Sequence, residues 1–476
     1  MNKRVQSAVS WSGIDLAFRQ IAGLAIIVIL ARILSPSDFG LMAMAAVFIS
    51  IGMLFANAGF SQTLIHRQDV THEDESTVFF FNIFLSIVMA TILWALSAYI
   101  ASYLEHPALE DILIVLAINM IISSFGAIHY TLLNKHLAFD VIAKVGMGST
   151  VISGLIAIWA AYFGLGVWSL VIQAVCASVV TLVLLWFMHD WRPSFVFQVQ
   201  TIRTYFSYGS YITFAALLYT IQQHVHAIVI GKYYSAANAG AYSRSYSLMQ
   251  MPVILLSGVI SRVVFPVFSQ RKDDRGKLKQ MLEKALVMTM FVTLPVTVFM
   301  CVMAKPIILV VLGGQWLEAV PILQVLSVSA ALIPIQMLNI NILKAMGHAD
   351  INAKLMVVKF IIAMSLLYLA IPYGIVVIAW AFVGSHVFNI FLNTYYSHVF
   401  LDYGLMKQIK VISPYILPNI ALAVVLFGLL NVFKLGGLGC LLVLLPLGVL
   451  VYLVTAWVLK LKAFDIMLGF IKKKRY

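Results

Sequence analysis

Apolar runs long enough to cross a bilayer follow one another along nearly the whole chain, and no connection between them exceeds about 20 residues. They lie near residues 11–34, 40–63, 77–103, 112–133, 143–163, 167–188, 206–230, 241–268, 284–304, 319–343, 354–371, 375–399, 413–433 and 436–459. A hydrocarbon core of about 30 Å needs roughly twenty helical residues, and in lipid a segment must satisfy its own backbone hydrogen bonds. The expected fold is therefore an all-α polytopic membrane protein with about 14 transmembrane helices. Composition agrees: 62% of the 476 residues are hydrophobic and 10% charged, against about 25% charged in soluble proteins. The connections leave no room for a soluble domain.

The chain is also written twice. Ser35-Pro36-Ser37-Asp38-Phe39-Gly40 closes the first run after Arg32, and Ser235-Ala236-Ala237-Asn238-Ala239-Gly240 closes the seventh after Lys232. Further on the offset becomes 210: Asp140, Ala143 and Lys144 fall on Asp350, Ala353 and Lys354, and Phe163-Gly164-Leu165 on Tyr373-Gly374-Ile375. Six spans separate matching points, so the repeats run parallel, an arrangement of carriers with a central substrate path. The expected domains are a six-helix lobe at 1–190, a linker at 191–204, a second six-helix lobe at 205–402, two added spans at 403–460 and a tail at 461–476. The tail spaces Phe464, Met467, Leu468 and Ile471 as on a helix before Lys472-Lys473-Lys474-Arg475. That pattern suits an interfacial helix held by anionic membrane lipid.

Lysine and arginine set the orientation. Of the 31, 22 fall in stretches on the side of the N-terminus, five on the other side and four within spans or at their edges. Both termini are therefore expected in the cytoplasm, and the net charge of +13 reflects topology rather than a nucleic-acid partner. The first run holds Asp15 and Arg19 and no cleavage site, so it stays as a span. Cys176, Cys301 and Cys440 each lie inside a span, without metal spacing. No Walker loop is present, acidic pairs lie only in loops, and no enzyme activity or cofactor is expected.

Charges inside hydrocarbon cost at least about 2.5–3.5 kcal/mol each, so they mark partners or cavities. Ser12, Asp15 and Arg19 share one face of span one. Asp15 and Arg19 either neutralise each other at i, i+4 or offer Arg19 to an anionic ligand. Arg244 and Arg262 lie on one face of span eight, five turns apart. With Arg32 and Lys232 they place basic groups at two depths, which suits a phosphate-bearing substrate. Arg32, Lys232 and Arg244 equally fit residues that snorkel to the interface, as Lys284 and Lys359 are expected to do. Gln222, Gln223 and His226 interrupt span seven, Gln336 and Asn339 share a face of span ten, and His386, Asn389 and Asn393 share a face of span twelve. These groups suit sugar hydroxyls or helix–helix hydrogen bonds.

Several segments are familiar. Ile29-Leu30-Ala31-Arg32-Ile33-Leu34-Ser35-Pro36-Ser37-Asp38-Phe39-Gly40-Leu41 resembles the first loop of bacterial polysaccharide exporters, as does Ile65-His66-Arg67-Gln68-Asp69. Ser261 to Phe268 is similar to their eighth span, and Gly314-Gln315-Trp316 through Gln324 to their ninth loop. The chain thus resembles Wzx-type flippases of the colanic-acid and lipopolysaccharide exporter branch, in the superfamily of multidrug, oligosaccharidyl-lipid and polysaccharide exporters. The resemblance implies two six-helix lobes in a V shape and alternating access. It implies a substrate of undecaprenyl-pyrophosphate-linked oligosaccharide and, as partners, the polymerase and chain-length proteins of a polysaccharide assembly complex. Pyrophosphate would sit near Arg19 and Arg262. Energy would come from a proton or Na⁺ gradient, with Asp15 as the coupling carboxylate.

Rival readings are a multidrug exporter of the same superfamily, a membrane glycosyltransferase or polymerase acting on the same lipid-linked sugars, and a non-transporting partner of a synthesis complex. The first needs a carboxylate-lined cavity and the second a catalytic acid or base; neither pattern is evident in the sequence. Arg19→Ala and Arg262→Ala are each expected to impair export at normal membrane levels of the protein. Wild-type export by both would contradict the basic-cavity reading.

Overall fold

The motif that recurs 200 residues apart is a helix start. In the computed structural model, which describes residues 3–57, 60–67, 69–260, 264–271, 274–432 and 437–464, α1 (Lys3–Ile33) ends just before it and α2 (Pro36–Asn57) begins in it. Ser35 caps α2: its backbone N–H donates to Asp38 Oδ2 at 2.9 Å, and the Asp38 N–H donates to Ser35 Oγ at 3.3 Å. This is a reciprocal capping box with proline in the first helical position. In the second copy the Asn238 N–H donates to Ser235 Oγ at 3.1 Å, at the start of α9 (Ala236–Val259).

The chain divides into two compact units, residues 1–240 and 241–476. In the first, α3 (Phe60–His66) leads to α4 (His72–Leu104), α5 (Ala108–Lys135), α6 (Phe139–Tyr162), α7 (Trp168–Met188) and α8 (Val199–Tyr233). Helix α4 packs along α5, α1 on α6, α6 on α7, and α2 against α4, α5 and α8. Leu109, Ile112, Leu113 and Leu116 of α5 fill the centre with Met44, Leu93 and Val171. Helix α8, counted from sequence with the second half, groups with the first. The second unit holds α10 (Phe265–Ser269), α11 (Arg275–Val302), α12 (Ala304–Val311), α13 (Ala319–Ala345), α14 (Ala349–Ala370), α15 (Ile375–Leu401), α16 (Leu405–Ile412), α17 (Ile416–Val432) and α18 (Gly437–Val458). There α13 packs between α11 and α15, α14 on α15, and α17 on α11 and α18.

Among the described residues, thirteen helices are long and apolar enough to cross a membrane. The fourteenth expected span, 241–268, corresponds to α9 and α10. Helix α9 carries Asn238, Ser243, Arg244, Ser245, Ser247 and Gln250 in its first fifteen residues, which lowers its hydropathy. Residues 261–263, and Arg262 with them, lie outside the described residues, as do 465–476, where the basic tail was expected.

The linker after α7 is shorter than expected, because α8 starts at Val199, and it is fastened. The Trp191 indole donates to Glu75 Oε2 at 2.7 Å, the Ser194 N–H to Ser76 Oγ at 3.0 Å and the Gln198 N–H to Thr77 Oγ1 at 3.1 Å. All three partners lie in the first two turns of α4, held by the Thr71–Asp74 capping box. His189 and His129 meet Nδ1 to Nδ1 at 3.0 Å, which requires one ring to donate and the other to accept. Burial first, then the nearby charge of His136, pushes the His189 imidazole below its usual value.

The first turns of α2 and α9 touch through glycine. A Cβ on Gly40 would lie 1.7 Å from the Ala236 carbonyl oxygen, and one on Gly240 would lie 1.9 Å from that of Pro36. The duplicated glycine therefore meets its own copy, backbone to backbone, inside the first unit.

Gly40→Val is expected to cost about 1–3 kcal/mol or more, since the obstructing atom is backbone. The detergent-purified variant should melt several degrees lower, while Gly13→Ala, with nothing within 4 Å of the new methyl, should not. Because His189 is held neutral, its contribution is complete above its unfolded pKa of about 6.5 and is lost as pH falls toward the depressed folded value. Limited proteolysis of the linker should accelerate as pH drops below about 6.5, and His189→Gln should weaken that dependence.

Candidate functional site

One face of each of several helices in the first unit is small or hydroxylic, and these faces enclose a cavity of about 760 Å³. Helix α5 contributes Ser123, Ala127, Tyr130 and Asn134, spaced by four, three and four residues. Helix α2 contributes Ser50, Met53 and Asn57, α7 contributes Ser178, Thr181 and Leu185, and α8 contributes Thr213, Ala216 and Thr220. Ser61 and Ile65 of α3 and Ser86 of α4 complete the wall. No Asp, Glu, Lys, Arg or His is among the described lining residues. Several of them lie near the ends of α2, α5 and α7 on the side where α1 begins.

The wall's donors are largely occupied at home. Asn57 donates to the Met53 carbonyl, Asn134 to the Tyr130 carbonyl and Thr131 to the Ala127 carbonyl, each at 2.9 Å. Ser123 donates to the Asn119 carbonyl at 2.9 Å and to Ser178 Oγ at 3.0 Å, and Thr181 donates to Ser149 Oγ at 2.9 Å. Side-chain oxygens thus keep lone pairs free. Such a wall accepts hydrogen bonds from ligand hydroxyls, and its volume falls among ligand pockets of about 300–1,000 Å³.

Arg19 stands at the margin. Its guanidinium pairs with Asp15 one turn back and hydrogen-bonds Tyr130, a lining residue. It lies over Gly146 of α6, where a Cβ would come within 2.9 Å of Cζ. The ion pair read from i, i+4 spacing is formed, with the Arg19 side chain 40% exposed and that of Asp15 only 11%. Arg19 is thus not an isolated cation: any anion it binds shares it with Asp15.

Within the first unit, Arg32 and Lys232 lie elsewhere. Arg32 is exposed on the last turn of α1, about 20 Å along the helix, where a cation suits the carboxyl end. Lys232 donates to Glu105 Oε1 at 2.8 Å and lies over the Tyr103 ring, so it ties α8 to the end of α4. This pairing holds the exposed Glu105 carboxyl below its usual range. Arg244 belongs to α9 in the second unit, and Arg262 is outside the described residues. In the first unit the structure thus describes one ion-paired arginine beside a cavity whose described lining carries no charge.

The amides are likewise engaged. Gln223 donates to the Tyr219 hydroxyl at 3.0 Å, His226 is buried, and neither these nor Gln222 lines the cavity. In the second unit Gln336 bonds His386 at 3.0 Å, and Asn339 bonds Gln408 at 3.1 Å. Asn393 accepts from Lys359 at 2.6 Å, and Asn389 is buried beside it on α15. These residues join helices. Lys359, expected to snorkel, is 8% exposed and points inward. The hydroxyls that do form a cavity were missed because serine and threonine are unremarkable within spans. Their helical spacing was the available signal.

The fold and cavity define a multi-pass helical membrane protein with the architecture of a carrier. The solved Lipid II flippase MurJ, in an inward closed conformation, superposes with a TM-score of 0.75 at 15% identity, covering 94% of this chain and 98% of that one. An inward-facing multidrug resistance MATE family transporter of the MOP superfamily gives 0.61 at 14% identity, covering 85% and 98%. The chain belongs to a polysaccharide biosynthesis protein family, which matches residues 29–321. It is 25% identical to the teichuronic acid biosynthesis protein TuaB of Bacillus subtilis, over 90% of this chain and 89% of that protein. It is 29% identical to the succinoglycan biosynthesis transport protein ExoT of Rhizobium meliloti, over 68% and 65%. It is 24% identical to the lipopolysaccharide biosynthesis protein WzxC of Escherichia coli, over 75% and 73%. The resemblance read from the loops holds.

A double-mutant cycle on Asp15→Asn and Arg19→Gln is expected to return a favourable coupling of roughly 1 kcal/mol in thermal unfolding. Additive effects would contradict the pairing.

Proposed function

We propose that the protein is a flippase. It carries oligosaccharide repeat units linked to undecaprenyl pyrophosphate from the cytoplasmic to the outer leaflet of the bacterial inner membrane, for export of a surface polysaccharide. The observation that carries this reading is the uncharged, hydroxyl-lined cavity beside an ion-paired arginine. Sugars exchange hydrogen bonds with water for hydrogen bonds with such a wall, while the polyprenyl tail stays in lipid. Tyr130 links the two parts, since it lines the cavity and pairs with Arg19. The pyrophosphate would compete with Asp15 for that guanidinium, a charge-assisted contact.

The lysine and arginine excess supports cytoplasmic termini, and on that orientation the end of the cavity lined by Asn57, Ile65 and Asn134 is the cytoplasmic one. Substrate would load from the side where it is made. The names of the relatives support the substrate class, and ExoT is named as a transport protein. A multidrug reading needs carboxylates for cationic drugs, and the described lining has none. Catalysis plays no part in the reading.

Filling the cavity tests it. Ser178→Trp and Thr181→Trp should each lower surface polysaccharide roughly ten-fold or more, a loss of about 1.4 kcal/mol or more in productive binding. Leu155→Trp, on an exposed face of α6, should not. Membrane levels are checked by immunoblot, and wild-type polymer from both cavity variants would refute the assignment.

A further inference from the structure

The second unit buries a charge-bearing group that this reading leaves unused. Lys359 lies ten residues into α14, so about 15 Å along the helix, near the middle of a hydrocarbon core of about 30 Å. Its side chain is buried and its Nζ donates to Asn393 Oδ1 of α15 at 2.6 Å. Asn393 is itself fully buried. Among the described residues no carboxylate forms an ion pair with Lys359. Asn393 Nδ2 and, one turn away, Asn389 Oδ1 are buried without a hydrogen-bond partner. A span that needed only packing would place an apolar side chain here, because a buried charge without a counter-ion is costly.

The surroundings repel a fixed charge. Lys344 of α13 adds a second positive charge within electrostatic reach. On α15, His386 lies seven residues before Asn393 and is held by Gln336 of α13 at 3.0 Å. On α14 itself Asp350 and Lys354 are exposed. Asn393 is also the inner end of a hydrogen-bonded series. Ser397 Oγ donates to Asn339 Oδ1 at 2.6 Å and approaches the Asn393 carbonyl at 3.4 Å. Asn339 donates to Gln408 Oε1 at 3.1 Å, and Gln408 to the Tyr403 carbonyl at 3.1 Å, in the connection between α15 and α16. On the orientation set by the lysines and arginines, that connection is cytoplasmic.

We infer that Lys359, with Asn389 and Asn393, is a proton-binding site in the second unit that couples substrate movement to the proton gradient. The inference rests on the flippase reading. The Nζ lone pair takes a proton from one aqueous side as an N–H bond forms, and gives it up to the other when the site is next exposed. The amides support the ammonium while it exists. Asp15 is not free for this task, because its charge is shared with Arg19.

The test uses the purified full chain in proteoliposomes with lipid-linked oligosaccharide, scored by accessibility of the sugar to an external glycosidase, with and without an imposed pH gradient. Lys359→Met is never charged and Lys359→Arg always is, and thermal unfolding confirms that each is folded. The wild type should flip at least about five-fold faster with the gradient, and both variants should lose that response while keeping gradient-independent flipping. A gradient response in Lys359→Arg equal to the wild type would show a fixed structural charge and overturn the inference. So would a response in both variants, or a wild type that flips equally with and without the gradient. A wild type that never flips would overturn the flippase reading and this inference with it.

Discussion

Inside a bilayer no water competes for hydrogen bonds, so each polar group must find a partner within the protein or open onto a cavity. Most of this molecule follows from that constraint. Ser123 and Thr131 of α5 bond carbonyls of their own helix, Ser123 also meets Ser178 of α7, and Thr181 of α7 donates to Ser149 of α6. Asp15 and Arg19 answer each other across one turn. Among the polar atoms left buried and open, those of Asn389 and Asn393 lie beside a buried lysine. In lipid, helices gain little from the hydrophobic effect on meeting, so close backbone approach and hydrogen bonds carry association. Gly40 against the first turn of α9 is the closest such approach described.

The same constraint explains why so few charges decide so much. Arg19 is held by its neighbour, yet its position beside Tyr130 leaves it at the edge of a cavity that has no charge of its own. Among the described residues Lys359 is held by an amide and by no ion pair. One cation is balanced and placed where an anionic head group can compete for it. The other has no ion pair among the described residues, and giving up its proton would remove the charge.

The spans, their number and the duplication were legible, because hydropathy and backbone satisfaction act locally and leave a strong periodic trace. The meaning of the duplicated motif was not, since a capping box in the α2 copy and a glycine contact between the two copies appear only when the chains of bonds are followed in space. The candidate site was read through charge, whereas the cavity described in the first unit is lined by hydroxyls. Arg32 and Lys232 serve helix ends, and Gln336, Asn339 and Asn393 join helices. Lys359 was expected to snorkel to water, but it is buried and bonds Asn393 of α15. The cavity itself comes from serine, threonine and alanine, which any packed span uses. Only their alignment on several neighbouring helices distinguishes them.

The central claim is that lipid-linked sugar crosses the membrane through this protein. Depleting it in cells and measuring which leaflet holds the lipid-linked oligosaccharide tests that claim most directly. The account predicts accumulation on the cytoplasmic leaflet together with loss of the surface polymer. Unchanged intermediates and unchanged polymer, in cells without a second such exporter, would contradict it.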